Sequence, residues 1–274
     1  MKIRSIILLS VLGYSRAVAQ QTDSADKQLL IGAGFGYMTI KDLSSSPLRY
    51  SGMGATVRLG YEYNQPKSVQ RVLFSVQAGG LQNGIRKQSG VSAYKAQLAY
   101  SQYWVLNSRP RTSWALGGRA DVWANARLFN TRENNPVSYD AGTAISIGTQ
   151  ANHSFSGRFS RLAASFQLSV PVVAYVIRPA YGVPYPEAFL QDGVFNHQDQ
   201  GLTGPLVSSG RVRSTGDFFR LQTTTSLTYS FSNTKTIRLS YDWEYYSIPS
   251  NLPVSQGNQS LTVSFVKHIH ERSK

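Results

Sequence analysis

Residues 112–129 alternate in polarity at almost every position. The even-numbered residues, among them Trp114 and Leu116, carry no charge, whereas the odd-numbered residues include Arg119 and Asp121. Successive side chains of a β-strand point to opposite faces of a sheet, so the pattern predicts a strand with one uncharged and one ionic face. Such a strand fits a sheet with an apolar medium on one side and an enclosed polar space on the other.

Nine further segments share this alternation, although it is weaker in residues 144–155. Most have ten residues or more, whereas strands of soluble proteins typically have about 5–6 residues and membrane-crossing strands need about 9–11. The lengths therefore favour membrane-crossing strands. The ten predicted strands cover residues 28–40, 54–63, 71–81, 92–106, 112–129, 144–155, 159–177, 217–231, 236–246 and 259–269.

Membrane-crossing strands must form a closed barrel, because lipid cannot hydrogen-bond the free backbone groups of a sheet edge. The sequence thus predicts an all-β fold, a single antiparallel transmembrane barrel of ten strands that occupies residues 20–274 as one domain. With the N-terminus in the periplasm, every predicted outer link is longer than every predicted periplasmic turn, as is typical of such barrels. The outer links are residues 41–53, 82–91, 130–143, 178–216 and 247–258, and the turns are residues 64–70, 107–111, 156–158 and 232–235.

The first 19 residues have the features of a signal peptide. A basic start with Lys2 and Arg4 is followed by a short apolar core and by Ala17-Val18-Ala19, an A-x-A cleavage site. The apolar core is far shorter than the about 20 residues of a membrane-spanning helix. We therefore expect export, with residues 1–19 removed.

The net charge of +14 does not indicate a nucleic-acid partner, because the charges are scattered through alternating strands of an exported chain. After removal of residues 1–19, the 25 remaining basic residues exceed the 14 acidic ones by 11. The chain has no cysteine, which excludes disulfides and thiol chemistry. No residue cluster indicates a cofactor or a metal site, and we predict neither.

On these features the chain resembles bacterial outer-membrane β-barrel proteins over nearly all of residues 28–270. Residues 261–266, with the sequence LTVSFV, are similar to the C-terminal insertion signal of that class, although the chain continues to Lys274. The resemblance implies an outer-membrane location, contact with membrane lipids and lipopolysaccharide, and recognition by periplasmic chaperones and the barrel-assembly machinery. It does not imply a particular activity.

The parity of each strand assigns eleven charged side chains to the lumen. A ten-stranded barrel is narrow, and small barrels are filled by side chains. Because buried charges need partners, these residues predict an ionic network that fills the lumen; a constricted path favouring anions is the alternative. They are Arg58, Glu62, Lys95, Arg119, Asp121, Arg127, Arg161, Arg220, Arg238, Asp242 and Glu244.

The predicted outer link 178–216 is the candidate recognition loop. Loops longer than about 12–15 residues are usually functional or disordered, and this one is rich in proline and aromatic residues. It could also contain two more strands, which would make twelve, and Pro171 suggests that regular pairing ends near there. The candidate recognition residues are Arg178, Tyr181, Tyr185, Phe189 and Phe195.

Enzymatic alternatives find little support. Outer-membrane phospholipases and lipid A deacylases use a histidine and a serine two residues apart on one strand face, but the residue two after His153 is Phe155. Proteases of the omptin type need acidic pairs and an aspartate–histidine pair at the outer rim, where the chain offers only Asp192, His197 and Asp199. The sequence favours a barrel with a structural, adhesive or narrow-transport role and no catalytic residues; an outer-leaflet lipid-modifying enzyme is the alternative.

Overall fold

The computed structural model describes residues 26–85, 89–130, 137–178, 210–232, 234–249 and 253–269. No helix in these ranges is long and apolar enough to cross a membrane. A short 3-10 helix covers Gly157–Phe159. The strands are β1 (Asp26–Asp42), β2 (Ser46–Asn64), β3 (Ser68–Gln82), β4 (Gly90–Ser108), β5 (Thr112–Phe129), β6 (Val137–Ser154), β7 (Leu162–Ile177), β8 (Arg211–Ser214), β9 (Phe219–Ser230), β10 (Lys235–Ile248) and β11 (Val254–Ile269).

Ten of these strands form a closed antiparallel barrel. Each pairs with its neighbour along the chain, except that β7 pairs with β9, and β1 pairs with β11 to close the ring. Strand β8 lies outside the ring and pairs only with β7 in the described part of the chain. The all-β, ten-stranded barrel predicted from the sequence is therefore confirmed, and in the described part of the chain the ring closes without the two additional strands of the twelve-stranded alternative.

The two ends of the barrel differ. Asp26 and Ile269, the first and last described residues, lie at one end with the connections 65–67, 109–111, 155–161 and 231–234, and we call it the turn end. At the other end β1, β3, β5, β7 and β10 finish, and we call it the loop end.

Several strands extend further toward the loop end than the sequence predicted. The bounds of β5 match the prediction, but β6 begins at Val137 and not at residue 144, and β11 begins at Val254 and not at residue 259. The predicted outer link 41–53 shrinks to residues 43–45, because β1 and β2 continue their ladder up to the pair Asp42↔Ser46. The strands therefore run past the uncharged band, into residues that sequence alternation could not assign.

Strand β7 changes its partner near Pro171. Its first half pairs with β9 up to Ser169, and its second half, from Val173 to Val176, pairs with β8. Pairing with β6 continues on the other side of β7 through a register shift. The Pro171 carbonyl accepts a hydrogen bond from the Thr215 hydroxyl (3.0 Å). The prediction that regular pairing ends near Pro171 is thus correct only for the β9 side of the strand.

The outer wall of the barrel is apolar. Side chains of one parity are exposed along every long strand, including Ile31, Leu98, Val122, Ile145 and Val263. Aromatic side chains are exposed near the ends of this band, as is typical of the interfacial girdles of membrane barrels. They include Phe35 and Tyr37 toward the loop end, and Tyr61, Trp104 and Trp114 toward the turn end.

Candidate functional site

The interior of the barrel holds ion pairs between strands that are not neighbours. Arg58 on β2 contacts Asp242 on β10, although β1 and β11 lie between these strands in the sheet. Lys95 on β4 reaches Glu244 on β10 in the same way. A contact between non-adjacent strands of a closed barrel must cross its lumen, so these charged side chains face inward.

At the loop end, Arg127 is the centre of a buried network. Its Nη2 atom lies 2.6 Å from Asp140 Oδ1 and donates to the Tyr246 hydroxyl at 2.6 Å. Its Nη1 atom lies 3.5 Å from Asp42 Oδ2, and Asp42 Oδ1 accepts from Arg178 Nη2 at 2.7 Å. Two arginines and two aspartates thus balance in charge. We call these five residues the loop-end network.

The central network surrounds Arg220. Its Nη1 atom lies 2.6 Å from Asp121 Oδ1, and its Nε atom lies 3.1 Å from Glu244 Oε1. Lys95 also contacts Glu244, and Arg119 Nε lies 3.3 Å from Asp121 Oδ2. These five residues are held by four different strands, so the network ties opposite walls of the barrel together.

The Arg220 guanidinium has two further partners. It lies over the ring of Trp123, 4.5 Å from the centroid, an arrangement that adds a cation–π attraction. The Gln97 amide satisfies its neighbours when its oxygen accepts from Arg220 Nη2 (2.8 Å) and Arg119 Nη2 (3.0 Å). Arg220 is therefore fixed on several sides.

The turn-end network is built on Glu62. Arg238 Nη2 donates to Glu62 Oε2 at 3.0 Å, and Arg71 Nε lies 2.7 Å from Glu62 Oε1. The same arginines also donate to Gln28 Oε1 (3.2 Å) and Gln167 Oε1 (2.7 Å). One carboxylate thus serves two guanidinium groups, so this end of the lumen has a positive excess.

Two apolar clusters also lie inside the barrel near the loop end. In the first, Trp123 stacks on Phe218 with ring centroids 5.6 Å apart. In the second, the Tyr50 ring meets the Phe129 ring edge-on at the same centroid distance. Together with the loop-end network they occupy the described interior at this end. The first cluster is Trp123, Ala144, Ala174, Val176, Phe218, Tyr246, Ile248 and Val254, and the second is Met38, Ile40, Tyr50, Leu81, Val91, Ala93 and Phe129.

Two cavities lie between these groups in the described part of the chain. A cavity of about 70 Å³ lies beside the central network and the Arg58–Asp242 pair. A second cavity of about 30 Å³ lies beside the turn-end network and shares Arg58 and Arg119 with the first. Neither approaches the roughly 300–1,000 Å³ of a typical small-molecule pocket.

Ten of the eleven predicted lumen residues contribute to these contacts, but Arg161 does not. It is exposed and precedes β7, because the 3-10 helix Gly157–Phe159 replaces the predicted start of that strand. Its assignment to the lumen was therefore wrong. Conversely, Arg71, the first residue of the predicted strand 71–81, was not assigned to the lumen, but β3 begins at Ser68 and directs Arg71 inward to Glu62.

Of the candidate recognition residues, only Arg178 lies within the described ranges, where it contacts the inward-facing Asp42. The other four lie outside the described residues, as do the residues of the omptin-type alternative and residues 1–19. The four are Tyr181, Tyr185, Phe189 and Phe195, and the omptin-type residues are Asp192, His197 and Asp199.

The described histidines lie at the turn end. His153 Nδ1 is 3.0 Å from Thr112 Oγ1, and its ring meets Phe155 edge-on. His268 Nδ1 is 2.9 Å from Asp26 Oδ1. No described serine is hydrogen-bonded to either ring, and within the described ranges no group of three or more His, Asp or Glu residues could hold a metal ion.

Residues 5–273 match the protein family described as "Protein of unknown function (DUF3316)". The chain belongs to this family. No curated protein has a sequence that matches the chain significantly.

Solved structures with a similar fold are outer-membrane barrels. The outer membrane protease OmpT from Escherichia coli matches with a TM-score of 0.56 and 6% identity, over 92% of this chain and 99% of that chain. The translocator domain of the autotransporter NalP from Neisseria meningitidis matches at 8% identity over 89% of this chain and 88% of that chain, with a TM-score of 0.45. At such identities the likeness to OmpT shows the fold alone. This DUF3316 member thus has the fold of outer-membrane β-barrels.

Proposed function

We propose that the protein is a non-enzymatic outer-membrane barrel that is closed to solutes and acts through its loop end. The apolar outer wall with aromatic residues at both margins supports the membrane location. The predicted signal peptide supports export. In this setting membrane lipids and lipopolysaccharide would surround the barrel, and the barrel-assembly machinery would insert it.

The side-chain packing inside the barrel is the observation that carries the proposal. The larger cavity has only about 70 Å³, whereas open aqueous channels belong to barrels of roughly 16–18 strands. The loop-end network and the two apolar clusters lie between this cavity and the loop end. A solute would have to displace Arg127, which is fully buried and paired with Asp140. These features favour closure over the narrow-transport alternative.

The loop end supports a structural or adhesive role. Strand β8 places Arg211, Val212 and Arg213 on the outside of the ring, and Val212 is 73% exposed. This strand lies within the link 178–216 that the sequence predicts as a recognition loop. An exposed strand and a long loop at one end offer a surface for contact with molecules outside the cell.

A lipid-modifying activity has no comparable support. Such enzymes work at the outer leaflet, whereas His153 lies at the turn end, which corresponds to the predicted periplasmic side. Its hydrogen-bond partner is the hydroxyl of Thr112, and the position two residues later holds Phe155. Neither residue forms the histidine–serine pair that the chemistry needs.

Planar-bilayer recording on the purified full chain tests closure. We expect no stepwise conductance from the wild-type protein, with a known porin as the positive control. Stepwise conductance in the wild type would refute the closed-lumen proposal. As a second arm, the barrel is incubated with phospholipid and with lipopolysaccharide. Release of fatty acid that disappears in His153→Ala would establish the enzymatic alternative.

A further inference from the structure

The 70 Å³ cavity lies in the interior between the central and turn-end networks. Its wall combines three cations, Arg58, Lys95 and Arg119, with two carboxylates, Asp242 and Glu244. A cavity needs only about 10–15 Å³ to hold a water molecule. This one has room for a small ion but not for an organic ligand.

The charges at the cavity do not balance among the described residues. Each carboxylate is already engaged: Asp242 by Arg58, Glu244 by Lys95 and Arg220, and Asp121 by Arg220 and Arg119. The ion-paired groups in and next to the cavity wall thus comprise four cations and three carboxylates, which leaves one positive charge in excess. A buried charge without a counter-ion is unfavourable. The four cations are Arg58, Lys95, Arg119 and Arg220, and the carboxylates are Asp121, Asp242 and Glu244.

Independent evidence comes from hydrogen-bond donors without partners. Within the part of the chain that the structure describes, Arg58 Nε, Gln77 Nε2 and Asn258 Nδ2 have no acceptor. All three residues line the cavity, and they are 6%, 6% and 5% exposed. The Asn258 amide is oriented by Gln256, whose Nε2 donates to Asn258 Oδ1 at 3.0 Å, so its NH₂ group is the end that remains free.

We infer that this cavity binds one small monovalent anion of the size of chloride or bromide. Its charge balances the excess cation, and it accepts hydrogen bonds from the side chains of Arg58, Gln77 and Asn258. Water would satisfy these donors but would leave the charge uncompensated. The nearby carboxylate of Asp242 cannot balance the excess charge, because it already accepts from Thr224 (2.7 Å) and Ser260 (3.3 Å) besides its ion pair with Arg58.

The site can be located directly in the wild-type protein. The full chain is purified in detergent without halide, with gluconate as the anion, and crystals are then soaked in bromide. We expect an anomalous bromide peak inside the barrel, in contact with Asn258 Nδ2 and Gln77 Nε2. Bromide found only elsewhere, or no ordered bromide in the lumen, would overturn the inference without affecting the bilayer test of closure.

Solution binding is measured by the shift of the thermal unfolding midpoint during a bromide titration at constant ionic strength, with gluconate as the replaced anion. A ligand that binds only the folded state raises this midpoint, so we expect a saturable rise. Losing a hydrogen bond to a charged group should weaken the apparent affinity about tenfold or more in Asn258→Leu and Gln77→Met. An equal response to bromide and gluconate would refute the site.

A matched control is Thr262→Val, on the same strand as Asn258. Thr262 is fully buried and faces inward but does not line the cavity. We expect its bromide affinity to stay at the wild-type value. If this control loses bromide binding as strongly as Asn258→Leu, the effect belongs to general loosening of the barrel and the assignment of Asn258 fails.

Discussion

Replacement of Arg127 by leucine tests how much the loop-end network contributes to the stability of the barrel. Arg127 is fully buried, and its Nη2 atom lies 2.6 Å from Asp140 and 2.7 Å from Gln256 Oε1. Leucine retains part of the apolar stem but removes the charge and all donors. Asp140 would then be a buried carboxylate with no cation beside it.

The expected loss of unfolding free energy depends on the hydrogen-bond donors that Asp140 retains. Removing one partner of a buried ion pair typically costs about 3–5 kcal/mol. Asp140 would retain donors from Tyr246 (2.9 Å) and Asn125 (2.7 Å), and Asp42 would retain Arg178. We therefore expect Arg127→Leu to lower the free energy of unfolding by about 3 kcal/mol, at the lower end of that range.

The assay is urea unfolding of the refolded full chain in detergent micelles, followed by tryptophan fluorescence. Trp123 is a suitable reporter because it is 2% exposed and stacks on Phe218 at the same end of the barrel. The control is Arg161→Leu, the same change at an exposed arginine, which should stay within about 0.5 kcal/mol of the wild type. The double variant Arg127→Leu/Asp140→Asn should lose less than the sum of the single changes.

Two results would refute this reasoning. If Arg127→Leu costs no more than Arg161→Leu, the loop-end network does not stabilise the fold. If the effects of Arg127→Leu and Asp140→Asn add without any coupling, the two side chains do not interact in the folded barrel. Either result would also weaken the case for a closed lumen, because that case depends on Arg127 being firmly held.

Two further changes probe the wall. Ile145→Lys places a charge on a side chain that is 61% exposed at the middle of β6, so it should lower the free energy of unfolding in lipid vesicles by about 2–4 kcal/mol. The control Ile85→Lys, in a connection and 84% exposed, should be neutral. Equal unfolding midpoints of the two variants would contradict the lipid-facing assignment of Ile145. Gly34→Ala would bring a Cβ to 2.0 Å from the Leu261 carbonyl oxygen and should lower the free energy of unfolding by about 1–3 kcal/mol or more. The control Gly80→Ala meets nothing within 4 Å and should not do so. A Gly34→Ala variant as stable as the wild type would show that β1 and β11 pack less closely.

The fold could be predicted from the sequence because lipid imposes a strict rule on each strand. Residues that face hydrocarbon carry no charge, so β5 was predicted with its observed bounds, Thr112–Phe129. The rule ends where the strands leave the lipid. At the start of β6, the buried Gly142 and its outward-facing neighbours Ala141 and Thr143 differ little in polarity, so the seven residues before residue 144 were missed.

Most of the inward-facing charges could also be predicted, but their partners could not. Parity depends on where a strand starts, and the 3-10 helix that precedes β7 led to the error at Arg161. The pairing of Arg58 with Asp242 depends on the width of the barrel and the tilt of its strands, which bring β2 opposite β10. A single sequence carries no local signal for such contacts across the lumen.

If the lumen is closed as we propose, the order of the interior groups along the barrel makes the loop end the main barrier. A solute that entered from the turn end would meet polar side chains and two small cavities before it reached the apolar cluster around Trp123 and Phe218. Passing that cluster requires strands of the wall to separate, and in the described part of the chain the ring has its shortest ladder between β7 and β9, which ends at Ser169. Arg213 spans this point, since its Nη1 atom donates to the carbonyl oxygens of Asp217 and Pro249, both at 3.2 Å. The closure that we propose therefore depends on the junction after Pro171 as well as on the ion pairs inside.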